Sequence, residues 1–126
     1  MVILVAEDDA SSRHLVARAL EILGHTVETV VDGVELFRVA VRIRPDLILS
    51  DINMPRCDGI TACRGLRQML PGTRFMLMTG NSDAVDVAAR AGFRFVLHKP
   101  FELARLKQGI DEIKPQERSP GERGSA

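Results

Sequence analysis

Apolar residues recur along the chain in two alternating rhythms. Short apolar runs at 2–6, 25–30, 46–50, 74–79 and 94–98 have the length and residue types of strands. Between and after them, 10–23, 34–43, 60–70, 83–91 and 102–113 carry apolar positions at helical spacing. Gly24 suits the left-handed end of the first helix, Pro45 halts the approach to the third strand, and Gly72 and Gly92 punctuate later joins. Repeated five times, this strand–helix unit predicts a parallel sheet with helices on both faces and right-handed crossovers. The first and third runs, Val2-Ile3-Leu4-Val5 and Leu47-Ile48-Leu49, are continuously apolar, as central strands buried on both faces should be. The second mixes His25, Thr26, Glu28 and Thr29 with valines and belongs at an edge. On the last helix Phe101, Leu103, Leu106, Ile110 and Ile113 form the core face, opposite Lys107, Asp111 and Lys114. The pattern places one domain at 1–114. Residues 115–126 show no apolar periodicity and are expected to form a disordered tail or linker remnant.

Composition narrows the function. With 126 residues, 45% apolar and 27% charged, the chain has material for a single core and no room for a second domain. Its 17 basic and 17 acidic side chains leave no global field to attract nucleic acid or an acidic membrane. The apolar start, Met1 to Ala6, runs into Glu7-Asp8-Asp9 with no basic region before it and is too short for a signal peptide or a membrane span. Cys57 and Cys63 lack the histidines a zinc site would need, and they read as free thiols in a reducing cytoplasm.

The chemistry gathers where strands end. The first strand runs into Glu7-Asp8-Asp9, the third into Asp51, the fourth into Thr79 and the fifth into Lys99, and parallel strands bring those ends to one edge. In open α/β sheets that edge is where ligands bind. Acids gathered at one point repel unless a cation joins them, and all-oxygen donors favour a hard ion such as Mg2+. A magnesium ion beside a carboxylate suits phosphoryl transfer onto or off it, with Lys99 adding positive charge and Thr79 a hydroxyl.

Val5-Ala6-Glu7-Asp8-Asp9, Asp51-Ile52-Asn53-Met54-Pro55 with Asp58-Gly59, Met78-Thr79-Gly80 and Lys99-Pro100-Phe101 together resemble the receiver domain of two-component response regulators, over residues 1–114. The resemblance implies a flavodoxin-like (βα)5 doubly wound sheet with strand order 2-1-3-4-5. It implies that Asp51 accepts a phosphoryl group from a sensor histidine kinase or a histidine phosphotransfer protein. It further implies that Asp8 ligates the metal directly, Glu7 acts through water, Asn53 offers a backbone carbonyl, Thr79 is the switch hydroxyl and Lys99 the conserved cation, with a cis Lys99-Pro100 bond. Such a protein is not a conventional enzyme: it catalyses its own phosphorylation and dephosphorylation. It signals by contact with a downstream protein, as a cytoplasmic monomer or weak dimer without direct nucleic-acid binding.

Local alternatives bear on individual residues. Asp9 precedes a helix and is read as its cap, with Ser11 and Ser12 serving the same start. His14 and His25 are surface or packing residues, and His98 is a strand residue facing a helix. Asn53 and Asn81 border the acceptor without offering a general base, so self-hydrolysis of the phosphorylated form should be slow to moderate. A haloacid-dehalogenase-type hydrolase would need an aspartate two places after Asp51, where Asn53 stands. A pseudo-receiver, binding partners without phosphorylation, is the remaining alternative. In its favour is Val96, which occupies the place three residues before Lys99 where the family commonly has an aromatic switch residue. Phe95 points to the opposite face of the strand and cannot replace it.

Overall fold

A computed structural model describes residues 1–113 of the chain. The disorder expected from 115 onward, like Lys114, lies outside those residues. Five strands, β1 (Val2–Ala6), β2 (Thr26–Val30), β3 (Leu47–Asp51), β4 (Arg74–Thr79) and β5 (Val96–His98), alternate with five helices. The helices are α1 (Ala10–Ile22), α2 (Gly33–Ile43), α3 (Gly59–Met69), α4 (Ser82–Arg90) and α5 (Leu103–Ile113). All strand pairs are parallel and the order is β2-β1-β3-β4-β5, the flavodoxin-like arrangement that the resemblance implies. β2 lies at an edge, as its polar content demands, and β1 and β3 are interior.

Strand alternation sorts the core into two layers. Ile3, Val5, Leu47, Leu49, Met76, Met78 and Leu97 face α1 and α5, meeting Val16, Leu20, Leu106 and Ile110. Leu4, Ala6, Ile48 and Leu77 point the other way, onto Leu36 and Ala40 of α2, Cys63 and Leu66 of α3 and Ala88 of α4. A sheet covered on both faces leaves its strand ends open, and a site built from strand-end residues lies there. Leu103 departs from the expected core face: as the first residue of α5 it sits at the rim and stays 44% exposed.

Four helices begin on short polar caps at the carboxyl edge of the sheet. Asp9, Asp32, Asp58 and Asn81 each accept a backbone N–H from the following turn, at 2.8, 2.8, 2.8 and 2.9 Å. These caps explain why α2, α3 and α4 start one residue before the apolar pattern does. Gly24 takes φ +93 after α1, as anticipated. β5 is shorter than the apolar run 94–98: Phe95 still accepts the Leu77 N–H at 2.9 Å, but regular pairing begins at Val96.

Candidate functional site

Glu7 follows β1, continuing it with an N–H bond to the Val30 carbonyl at 3.1 Å. Its side chain therefore points into the sheet's end instead of into solvent, and the residue is completely buried. Asp51 closes β3, 7% exposed. Asp8 is exposed beside them, and one carboxylate oxygen from each of Glu7, Asp8 and Asp51 lies within 4.8 Å of the others. Lys99, delivered by the end of β5, spans the two buried acids: its Nζ contacts Glu7 Oε1 and lies 2.9 Å from Asp51 Oδ2. Thr79 ends β4, fully buried, one residue beyond the Met78 that pairs with Asp51. The Thr79 carbonyl accepts the Lys99 N–H at 2.7 Å, and its Oγ1 accepts the Asn81 N–H at 3.0 Å. Asn53 is exposed, and its backbone N–H donates to Asp51 Oδ1 at 3.2 Å.

Burial is the main force on Glu7, raising its pKa to about 7; a hydrogen bond with Asp51 pushes the same way, and Lys99 opposes both. Burial acts on Lys99 in the opposite sense, but its contacts with Glu7 and Asp51 outweigh it and hold the ammonium above its ordinary pKa. Near neutrality Glu7 is therefore close to half-protonated in the metal-free protein, beside a Lys99 that keeps its charge. Glu7 Oε2 is buried without a hydrogen-bond partner. An orphaned acid oxygen beside two further carboxylates is a donor set that fits a hard divalent cation such as Mg2+, and Glu7, Asp8 and Asp51 would hold it.

The backbone under Asp51 is tightly packed. Ser50 Oγ donates to the Asp51 carbonyl at 2.9 Å, and a Cβ added at Gly59 would lie 2.2 Å from that same carbonyl oxygen. Gly59→Ala is expected to destabilise the protein by about 1–3 kcal/mol through overpacking. Urea unfolding measures the loss, and an unchanged midpoint would contradict it.

Other residues fall where the sequence placed them or turn elsewhere. Asp9 caps α1 through Ser12. Cys57 and Cys63 are free thiols, and burial pushes Cys63 up to about 12, so it is inert. His98 turns toward α4, its Nε2 3.3 Å from Ser82 Oγ and its Nδ1 2.8 Å from the Lys99 carbonyl. Val96 packs against the α2–α4 layer and Phe95 against the opposite one. Asn81 Oδ1 is occupied as the α4 cap. An added Cβ at Gly80 meets nothing within 4 Å, leaving that side open. Two contacts went unread in the sequence: Arg13 Nη1 donates to the Glu7 carbonyl at 3.0 Å, and Arg56 pairs with Asp32. Their only signal is an arginine close to an acidic strand end, which is too common to single out.

The family model described as the response regulator receiver domain matches residues 3–111. The response regulator MprA of Mycobacterium leprae is 34% identical over 123 residues, covering 93% of this chain and 54% of the relative. The chain thus spans about half the length of the curated relatives it matches. Among solved structures, the BeF3-activated N-terminal receiver domain of Klebsiella pneumoniae RstA superposes with a TM-score of 0.84 at 28% identity, covering 92% of this chain and all of that one. The receiver domain of the sensor histidine kinase PA1611 from Pseudomonas aeruginosa, solved with a magnesium ion in its active-site cleft, gives 0.78 at 30% identity, with 89% and 95% covered.

Proposed function

Since the chain belongs to the response regulator receiver domain family, whose members act as phosphorylation-dependent switches in two-component signalling, we propose that its own switch is phosphorylation of Asp51. The observation that carries this is Lys99 held between Glu7 and Asp51 at the edge where β1, β3 and β5 end. Asp51 is the nucleophile: one oxygen is oriented by the Asn53 N–H and the other by Lys99, so the carboxylate is fixed before a donor arrives. Lys99 lies where charge develops on a transferring phosphoryl group, and the Thr79 hydroxyl meets the phosphoryl once it is attached. Glu7, Asp8, Asp51 and the Asn53 backbone carbonyl would hold Mg2+, which would neutralise charge on the phosphoryl oxygens.

The donor is a phosphohistidine of a sensor kinase or phosphotransfer protein, the partners with which receiver domains interact. Output runs through a downstream protein contact. Val96 cannot supply a swinging ring, so the readout is movement of the loop after Thr79 together with α4, to which His98 connects through Ser82. Hydrolysis is slow to moderate, as neither Asn53 nor Asn81 can take a proton from water. Among the described residues no helix is long and apolar enough to cross a membrane. Incubation with Mg2+ and a small phosphodonor, followed by peptide mass analysis, tests the proposal: phosphate on Asp51 supports it, and no phosphate there refutes it.

A further inference from the structure

The loop between β3 and α3, which carries Asn53, is closed at its base by the Gly59 N–H donating to the Ile52 carbonyl at 2.9 Å. Its apex is fixed by a different device. Arg56 sits at φ +68, a left-handed backbone that strains any residue with a Cβ. From there its guanidinium crosses to the start of α2, Nε donating to Asp32 Oδ2 at 2.9 Å and Nη2 lying 2.7 Å from the same oxygen. The other Asp32 oxygen accepts the Glu35 N–H at 2.8 Å. That helix-capping bond is the main reason the Asp32 carboxyl is held below the usual range, with Arg56 adding to it. The anchor is thus an ionised, 6%-exposed helix cap with little freedom to follow the loop. Beside it Gly33 approaches so closely that an added Cβ would stand 2.0 Å from the Cys57 carbonyl oxygen.

Glycine would adopt φ +68 without strain, so the backbone alone gives no reason for arginine at this position. A strained residue persists where its surroundings over-determine it, and here they do so through Asp32. Because the Arg56 side chain is 60% exposed, the pair adds little to global stability, and its effect falls on the loop. Resting on the receiver reading above, we propose that Arg56 is a positioning residue: tethered to Asp32, it holds the 53–58 loop, and with it the Asn53 backbone beside Asp51, in the arrangement that cation binding and phosphorylation use. Displacement of the loop reaches the acceptor directly, since the Asn53 N–H donates to Asp51 Oδ1.

Three variants separate positioning from folding. Arg56→Gly removes the tether and the backbone strain together, Asp32→Asn removes the charge but can still cap α2, and Arg56→Lys keeps the charge without the planar fork. Hydrogen exchange on the metal-free proteins should show the amides of residues 53, 54, 56 and 57 exchanging about tenfold faster in Arg56→Gly and Asp32→Asn, with β1 and β3 unchanged. Mg2+ titration of the unphosphorylated proteins should show about three- to tenfold weaker binding in those two, and a smaller loss in Arg56→Lys. Parental loop exchange and Mg2+ affinity in both Arg56→Gly and Asp32→Asn would overturn the tether. So would faster exchange spread evenly over the whole chain. Absence of phosphate on Asp51 in the parent protein would instead defeat the phosphorylation proposed above, a failure that the metal-free exchange data distinguish from failure of the tether.

Discussion

Asp51→Asn is expected to take up no phosphoryl group under conditions in which the parent acquires one per chain. The amide is nearly isosteric with the carboxylate and can still accept the Asn53 N–H through its oxygen. What it lacks is a lone pair nucleophilic enough to attack phosphorus at neutral pH. The loss is therefore complete and not a fractional decrease, the largest effect any single substitution at this site should have. Folding should survive, although the new NH2 group would face Lys99 Nζ across the 2.9 Å now spanned by an ion pair. Intact mass with and without Mg2+ measures both arms, and unfolding in urea checks that the variant is native. Phosphate persisting on Asp51→Asn, on Asp8 or on any other side chain, would remove Asp51 from the role. A parent that takes no phosphate while still folding and binding Mg2+ would favour the pseudo-receiver.

Much of this architecture was legible because strand burial writes itself into composition. A strand covered on both faces, such as Leu47–Asp51, is continuously apolar over Leu47, Ile48 and Leu49, with only the small Ser50 before Asp51, so the acid stands out where the run ends. Asp9 could be read as a cap from its place immediately before a helical pattern. Strand order is less accessible: periodicity puts β1 and β3 inside and β2 outside, but the sequence 2-1-3-4-5 came with the family resemblance. Pairings between distant loops leave no periodic trace. Arg56 and Asp32 are 24 residues apart, in segments where every turn is polar and many contain arginine or aspartate. The gathering of Glu7, Asp51 and Lys99 was foreseeable from the strand ends. The complete burial of Glu7 was not, because it depends on β1 continuing one residue past its apolar run through the Val30 hydrogen bond.

That burial leads to the second large effect, a pH dependence of the metal-free protein that runs opposite to the one most acids confer. Glu7 is raised from the ordinary 4.5 to about 7 in the folded chain, so between those values the native state holds a proton that the unfolded state has released. Stability then falls as pH rises through this window, since unfolding releases a proton there. At 1.36 kcal/mol per pH unit the loss is on the order of 3 kcal/mol by pH 7, levelling off above it. Asp9 and Asp32 are shifted downward, so their contributions vanish only as pH drops below about 4 and do not overlap the window. Urea unfolding in chelator from pH 4.5 to 8 should show the decline, and Glu7→Gln should flatten it while stabilising the chain at pH 8. Saturating Mg2+ should cancel the trend, because Glu7 must give up its proton before it can face a cation, so the stabilisation that added Mg2+ confers should grow with pH up to about 7. A parental curve that is flat between pH 4.5 and 7, or a Glu7→Gln curve that still declines there, would mean that the buried carboxyl of Glu7 is ionised without the metal, balanced by Lys99 alone.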